Sequence, residues 1–369
     1  MKSIKIVSMV SLVLAGTLAG AAPTGTTMPE AVRMTPCNGA QVSIVQTPPA
    51  YNSWPMMQAF GNKVVCAYSR GSAHTIHEGK RNTYARTSLD GGKTWGPEAC
   101  VANDPSVGEV AEGCGLDDNG AMLLWVRCWG TRKGHDLYRT TDGVKFEKIS
   151  SMAANDLSPM PMQITDVFKL PNMGLVSLWF AGDYRNKEGG HSWGMFVSAD
   201  NGGSWKQITM EKDLSKADWP TEISAVHLGG GRVLAIARSE GGGGQQSQLT
   251  STDGGVTWKR AKTNIADVHE STPSLIFDQK TGLVSNYYYQ RGAKKLKRRV
   301  ADAEFIFDRP TAWPEPEVLA EGREKRAYDA GNVKATACGE RHLLALYSGT
   351  ETDCAVFVVS VNAPSARTK

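Results

Sequence analysis

Long apolar runs are nearly absent from this 369-residue chain, and the exception comes at its start. Lys2 and Lys5 precede an apolar stretch from Ile6 to about Leu18, and the small residues Ala19 to Ala22 follow. A charged start, a short apolar run and a small-residue cleavage site read as a secretory leader over residues 1–22. The run is too short to span a bilayer comfortably. The mature chain is therefore expected to be secreted or periplasmic, with no membrane span.

Cysteine is also scarce. Seven cysteines are scattered between Cys37 and Cys354 without a CxxC pair. That is neither a disulfide framework nor a zinc site, although it leaves room for one or two bridges after export. No ligand cluster has metal spacing, and neither a metal nor an organic cofactor is expected. Charge of one sign is missing too: 41 basic residues against 37 acidic ones give +4, and Lys2 and Lys5 leave with the leader. Near-neutral balance, with no basic helix and no aromatic RNA motif, excludes nucleic acid as a partner. The single dense basic run, Lys294 to Arg299, reads as a solvated strand or loop.

What the chain does have is repetition. Ser88–Trp95 (SLDGGKTW), Ser198–Trp205 (SADNGGSW) and Ser251–Trp258 (STDGGVTW) share one pattern, and Thr140–Phe146 (TTDGVKF) is a shortened copy. In each, Asp caps backbone amides, Gly takes a left-handed conformation and the aromatic residue plugs the layer below. A second repeat runs in phase with the first. Gly61, Gly120, Gly174, Gly231, Gly282 and Gly339 each precede a short apolar strand and recur every 51 to 59 residues. Another apolar strand comes before each glycine, making six hairpins. Six four-stranded units of this length specify an all-β, six-bladed β-propeller with Asp-box turns. A β-sandwich would need the two phased repeats to coincide by chance. The expected organisation is a leader (1–22), an N-terminal extension with a closing strand (23–45), the propeller (46–362) and a tail (363–369), as a monomer.

Hairpin spacing identifies polar residues that share a rim. A turn near Gly230 sets Glu222 opposite Arg238, and a turn near 280 sets Arg291 opposite His269. In the last hairpin Tyr328 and Asp329 stand level with Tyr347, and in the first Arg70 stands level with Ser53 and Trp54. Guanidinium forks grip planar carboxylates in bidentate fashion, so several around one point suit a sugar acid. A phenol next to a carboxylate that accepts its proton becomes a usable nucleophile, and a neutral one is not repelled by an acidic sugar. Gln163, Asp166, Arg127, Trp129 and His191 are read as loop residues able to reach the pocket, without a fixed place on this rim.

Together these features resemble the sialidase superfamily, over about Tyr51 to Val361. TEISAVHLGGGRVLAIAR resembles the stretch supplying the Tyr-activating glutamate and the second arginine, implying Glu222 and Arg238. LVSNYYYQR resembles the stretch with the third arginine, implying Arg291. AYDAGNVKATACGERHLLALYSG resembles the last blade with its nucleophilic tyrosine, implying Tyr328. There are two departures. Ser53-Trp54-Pro55 stands where such chains begin Arg-Ile-Pro, leaving Arg70 or Arg127 to replace the first arginine. GSAHTIHEGKRN offers His74, His77 and Glu78 in place of an aspartate acid/base. Both departures resemble bacteriophage tailspike endosialidases, and His74 is the residue expected to transfer the proton. The resemblance implies an exo-α-sialidase acting on sialylated glycans or mucin. The alternatives are an endosialidase and a non-catalytic glycan-binding propeller.

Overall fold

A computed structural model describes residues 29–75, 81–240, 244–268 and 271–365. The expected leader, His77, Glu78 and His269 lie outside the described residues. The strands form six antiparallel meanders. Blade one comprises Tyr51–Phe60, Lys63–Gly71, Asn82–Ser88 and Ala99–Ala102, and blade two Val107–Leu116, Met122–Gly130, Gly134–Thr140 and Glu147–Ala153. Blade three comprises Gln163–Leu170, Gly174–Ala181, His191–Ser198 and Lys206–Leu214, and blade four Pro220–Gly229, Arg232–Ser239, Ser247–Ser251 and Lys259–Lys262. Blade five comprises Ser274–Asp278, Leu283–Gln290, Lys295–Asp302 and Glu317–Gly322, with Met34–Pro36 added at its outer edge. Blade six comprises Ala330–Cys338, Arg341–Gly349 and Cys354–Asn362, and Gln41–Gln46 pairs with its last strand.

The first strand of each blade contacts the first strand of the next, and blade six returns to blade one, so these strands form a closed ring. Apolar clusters fill the spaces between blades. One joins Val65, Ala67 and Met56 of blade one to Met122, Leu124 and Val126 of blade two. Where the ring is tightest a side chain cannot fit: a Cβ on Gly115 would lie 1.9 Å from the Val167 carbonyl oxygen of blade three. The six hairpin glycines all have positive φ, from 55° to 86°, as turns there require.

The Asp-box turns join the third and fourth strands of blades one to four. In blade four the Asp253 carboxylate accepts from the Thr257 amide at 2.9 Å and from its hydroxyl at 2.5 Å, and the Ser251 hydroxyl accepts from the Gly255 amide. These donors favour the charged form and hold Asp253 down to about 2. Each box wedges against the preceding blade. Trp205 of blade three meets Trp125 of blade two edge-on at 5.2 Å, and Trp258 of blade four meets Trp193 of blade three at 5.7 Å. The first box closes the ring, because Trp95 donates to Ser43 on the strand that completes blade six.

Two expectations are refined by the structure. All seven cysteines are free thiols. The basic run is neutralised by ion pairs: Lys297 and Arg299 bind Asp267, and Arg298 binds Glu317.

Candidate functional site

The innermost strands all start at one mouth of the ring, and a shared irregularity aims their residues there. Strand register shifts between Ser53 and Met56, Ala111 and Gly113, Thr165 and Phe168, Thr221 and Ser224, and Gly331 and Lys334. Within these bulges Trp54, Asp166, Glu222 and Asn332 take left-handed backbone conformations rare for side chains of their size. Strain repeated at equivalent positions of four blades sets one aromatic and three polar side chains at this mouth. Deeper along the axis, Asp166 of blade three pairs with Lys334 of blade six, three blades away, and accepts from Ser224 of blade four.

Around this mouth two groups assemble. The first lies in blade four. Glu222 accepts from Arg238 at 3.1 Å and from the Thr272 hydroxyl at 2.9 Å. On its other side Arg238 meets Glu240 at 2.8 Å, and Glu240 in turn accepts from Thr221. All three charged side chains are nearly buried. The expected pairing of Glu222 with Arg238 is present. The bulge shifts the strand partner of Arg238 to Thr221 and turns Glu222 back onto the guanidinium.

The second group spans blades five, six and one. Arg291 is 5% exposed, donates through Nε to the Ala330 carbonyl and through Nη2 to Asn332. Its guanidinium carbon lies 5.4 Å from the Tyr328 ring, which is half exposed. The His74 ring lies 6.4 Å from that of Tyr328 and 5.2 Å from that of Trp54. Behind it, the Tyr51 hydroxyl stands 2.9 Å from Nδ1 of His74 and 3.1 Å from Oδ1 of Asp329. Asp329 is fully buried and held by Arg326. An ionised carboxylate only accepts, so the single Tyr51 proton goes to Asp329 and the tyrosine oxygen accepts from Nδ1–H. That tautomer leaves Nε2 as the basic nitrogen. Burial, then the positive charge of Arg291, hold His74 down to about 4, so its ring is neutral near pH 7.

The two groups share one mouth. Thr272 binds Glu222, while its neighbour Ser271 lies beside Gly331 together with the Arg291 guanidinium. Arg238 and Arg291 therefore flank a continuous polar arc across blades four to six. Tyr328 sits beside Arg291 and His74, whereas the Glu222 carboxylate is engaged by Arg238 and Thr272.

Arg70 requires correction. Strand alternation sends its side chain to the face carrying Tyr68, where it pairs with Glu98 and stacks 4.5 Å from the Tyr84 ring. The structure does not bring it to the mouth. The arginine that stands near Ser53 and Trp54 is Arg81. It is 2% exposed, lies 4.4 Å over Trp54, donates to the Ser53 hydroxyl and holds the Ala73 and Thr75 carbonyls on either side of His74. Tyr51, Asp329 and Arg81 escaped assignment because their roles depend on contacts between blades or across a loop. His191 is structural, fixed between the carbonyls of Leu214 and Asp183 and stacked on Trp219. Among the described residues no group of three or more His, Cys, Asp or Glu could hold a metal ion, and no helix is long and apolar enough to cross a membrane.

Comparison with known proteins adds to this picture. A model of the BNR repeat-like domain matches residues 62–333. No curated protein matches the chain. Among solved structures, a protein of unknown function from Dyadobacter fermentans aligns at TM-score 0.70 and 18% identity, covering 88% of this chain and 100% of the other. The sialidase of Trypanosoma rangeli, in complex with 2,3-difluorosialic acid as a covalent intermediate, aligns at 0.64 and 10% identity. That match covers 89% of this chain but 59% of the trypanosomal one. The NanB sialidase of Streptococcus pneumoniae aligns at 0.62 and 11% identity, covering 87% and 70%. At these identities the likeness is one of fold.

Proposed function

The chain belongs to the BNR repeat-like domain family, and on that premise we propose that it is a secreted sialidase-type glycoside hydrolase releasing α-linked sialic acid from glycan termini. The observation that carries this reading is the convergence of Arg291, Tyr328 and His74 at one mouth, with Tyr51 and Asp329 fixing the imidazole from behind.

In this account Arg291 holds the sugar carboxylate. Burial and then the Arg291 charge hold the His74 pKa down; a carboxylate on Arg291 offsets the second of these, so substrate binding raises the imidazole pKa and favours a proton on Nε2. The C–O bond to the leaving sugar breaks and its oxygen takes the proton from Nε2. The anomeric carbon is captured by the Tyr328 oxygen, whose proton leaves to the solvent that reaches this half-exposed residue. Water, giving its proton to the now neutral Nε2, then displaces the tyrosine, which regains a proton from solvent. Glu222, fixed by Arg238 and Thr272, supplies negative charge facing the developing oxocarbenium ion. The test is release of free sialic acid from 3′-sialyllactose and from mucin. Wild type releases it and Arg291→Ala does not; an inert wild type on a broad sialoside panel contradicts the proposal.

One observation favours a second reading, a glycan-binding propeller without turnover. Arg238 is flanked by two carboxylates, and Ser53 stands at the position where the resemblance places an arginine. Sialoside binding that survives Glu222→Gln, with no product in any assay, selects it.

A further inference from the structure

Blade two repeats the charged motif of blade four with one change of partner. Glu112 occupies the bulge of its inner strand as Glu222 does, and Arg127 lies near the end of the second strand as Arg238 does. In blade four the carboxylates neutralise the guanidinium. In blade two a third residue intervenes: His135, fully buried, brings Nδ1 to 2.5 Å from Glu112 Oε1, and the Ile164 amide donates to Oε2 at 3.0 Å. The hydrogen bonds of Glu112 are thereby taken by His135 and Ile164, and it acts on Arg127 through its charge alone.

Arg127 is left without an ion pair or side-chain hydrogen bond among the described residues, and its Nε is buried with no acceptor. Its guanidinium carbon lies 5.1 Å from the Trp129 ring. Lys133, exposed and likewise without an ion pair among the described residues, places Nζ 4.5 Å from the same ring. Two cations on one indole, one of them largely desolvated, form an arrangement that an anion stabilises. The cluster stands at the mouth already described, because Arg127 and Trp129 pair with Val110 and Gly108 at the start of the innermost strand of blade two.

We propose that Arg127, Lys133 and Trp129 form a second anion subsite, which holds an acidic group on the sugar next to the terminal one, so that the preferred ligand is a glycan with two consecutive negative charges. The Trp129 ring holds the two cations together, and the Arg127 fork suits a planar carboxylate or a sulfate. This inference rests on the acidic-sugar reading of the same mouth and sharpens its substrate class.

The experiment is calorimetric binding of three probes to the intact protein: 3′-sialyllactose with one acid, disialyllactose with two, and sialyllactose sulfated on the sugar next to the sialic acid. Wild type is expected to bind the two-charge probes about tenfold more tightly than the one-charge probe, the worth of one partly desolvated charge-assisted contact. A gain confined to disialyllactose identifies a carboxylate as the ligand group, and an equal gain for the sulfated probe identifies charge itself. Both Arg127→Ala and the surface variant Lys133→Ala should bring that ratio toward one. Equal affinities in wild type, or a ratio unchanged in both variants, overturn the subsite. If no acidic glycan binds, the acidic-sugar reading falls with it; binding without turnover sinks the hydrolase reading alone.

Discussion

The Tyr51 hydroxyl stands 2.9 Å from Nδ1 of His74, and this single contact fixes the tautomer of the only imidazole beside Tyr328 and Arg291 among the described residues. Tyr51→Phe removes the hydroxyl and preserves the ring. Its expected effect is a loss of about tenfold to hundredfold in kcat, as for other groups that orient a reacting side chain, with KM little changed. Steady-state kinetics on a fluorogenic sialoside provide the check. A matching loss in KM alone would assign Tyr51 to binding.

The pH dependence of activity follows from the same residue. In the free protein His74 sits near 4, held there by burial and then by Arg291. A reaction that needs it protonated loses kcat/KM as pH rises above that value. A bound carboxylate offsets Arg291 and raises the pKa, so the basic limb of kcat should lie at higher pH than that of kcat/KM. Coincident limbs would show that the substrate carboxylate does not approach Arg291.

Stability should respond to pH through a different histidine. His342 is 3% exposed, its Nδ1 is 2.6 Å from the Tyr287 hydroxyl, and burial followed by the charge of Arg298 holds it down to about 4. Its folded value lies below the unfolded one of about 6.5, so the folded state binds fewer protons in that interval. The contribution is present above pH ~6.5 and is lost as pH falls toward 4, by at most about 3 kcal/mol. Denaturant titrations across this range should show the decline, and His342→Gln should remove the share that His342 carries while leaving that of His74, which is held down in the same way.

The two arginines of the arc should separate by assay. Arg238→Ala leaves Glu222 and Glu240 nearly buried without their shared cation, and should cost about 3–5 kcal/mol of stability. Arg291→Lys keeps a charge but loses the fork, and should weaken sialoside affinity about tenfold or more. Unfolding curves and ligand titrations on both variants distinguish the roles.

How far the sequence reaches is visible in these residues. Asp boxes and hairpin glycines announce blades because each acts locally: Asp253 caps amides within four residues, and Gly61 needs only its own φ. Strand-end spacing brought Glu222 to Arg238, although the bulge moved the register by one residue, an irregularity that regular alternation does not encode. The same alternation explains Arg70, which has the right height on its strand and points to the wrong face. Tyr51, Asp329 and Arg81 belong to the site through contacts of 278 residues and of a single loop respectively, separations for which no periodicity exists. Arg127 differs again: it could be named as a mouth residue, but that His135 draws Glu112 away from it is a fact of three dimensions.

The central claim is that an acidic sugar lodges with its carboxylate on Arg291, beside Tyr328 and His74. The most direct measurement is a crystal structure with the dehydrated sialic acid analogue bound. The account predicts the carboxylate within hydrogen-bonding distance of the Arg291 guanidinium and the anomeric carbon facing Tyr328. An analogue bound at the opposite mouth, or with its carboxylate turned away from Arg291, would contradict it.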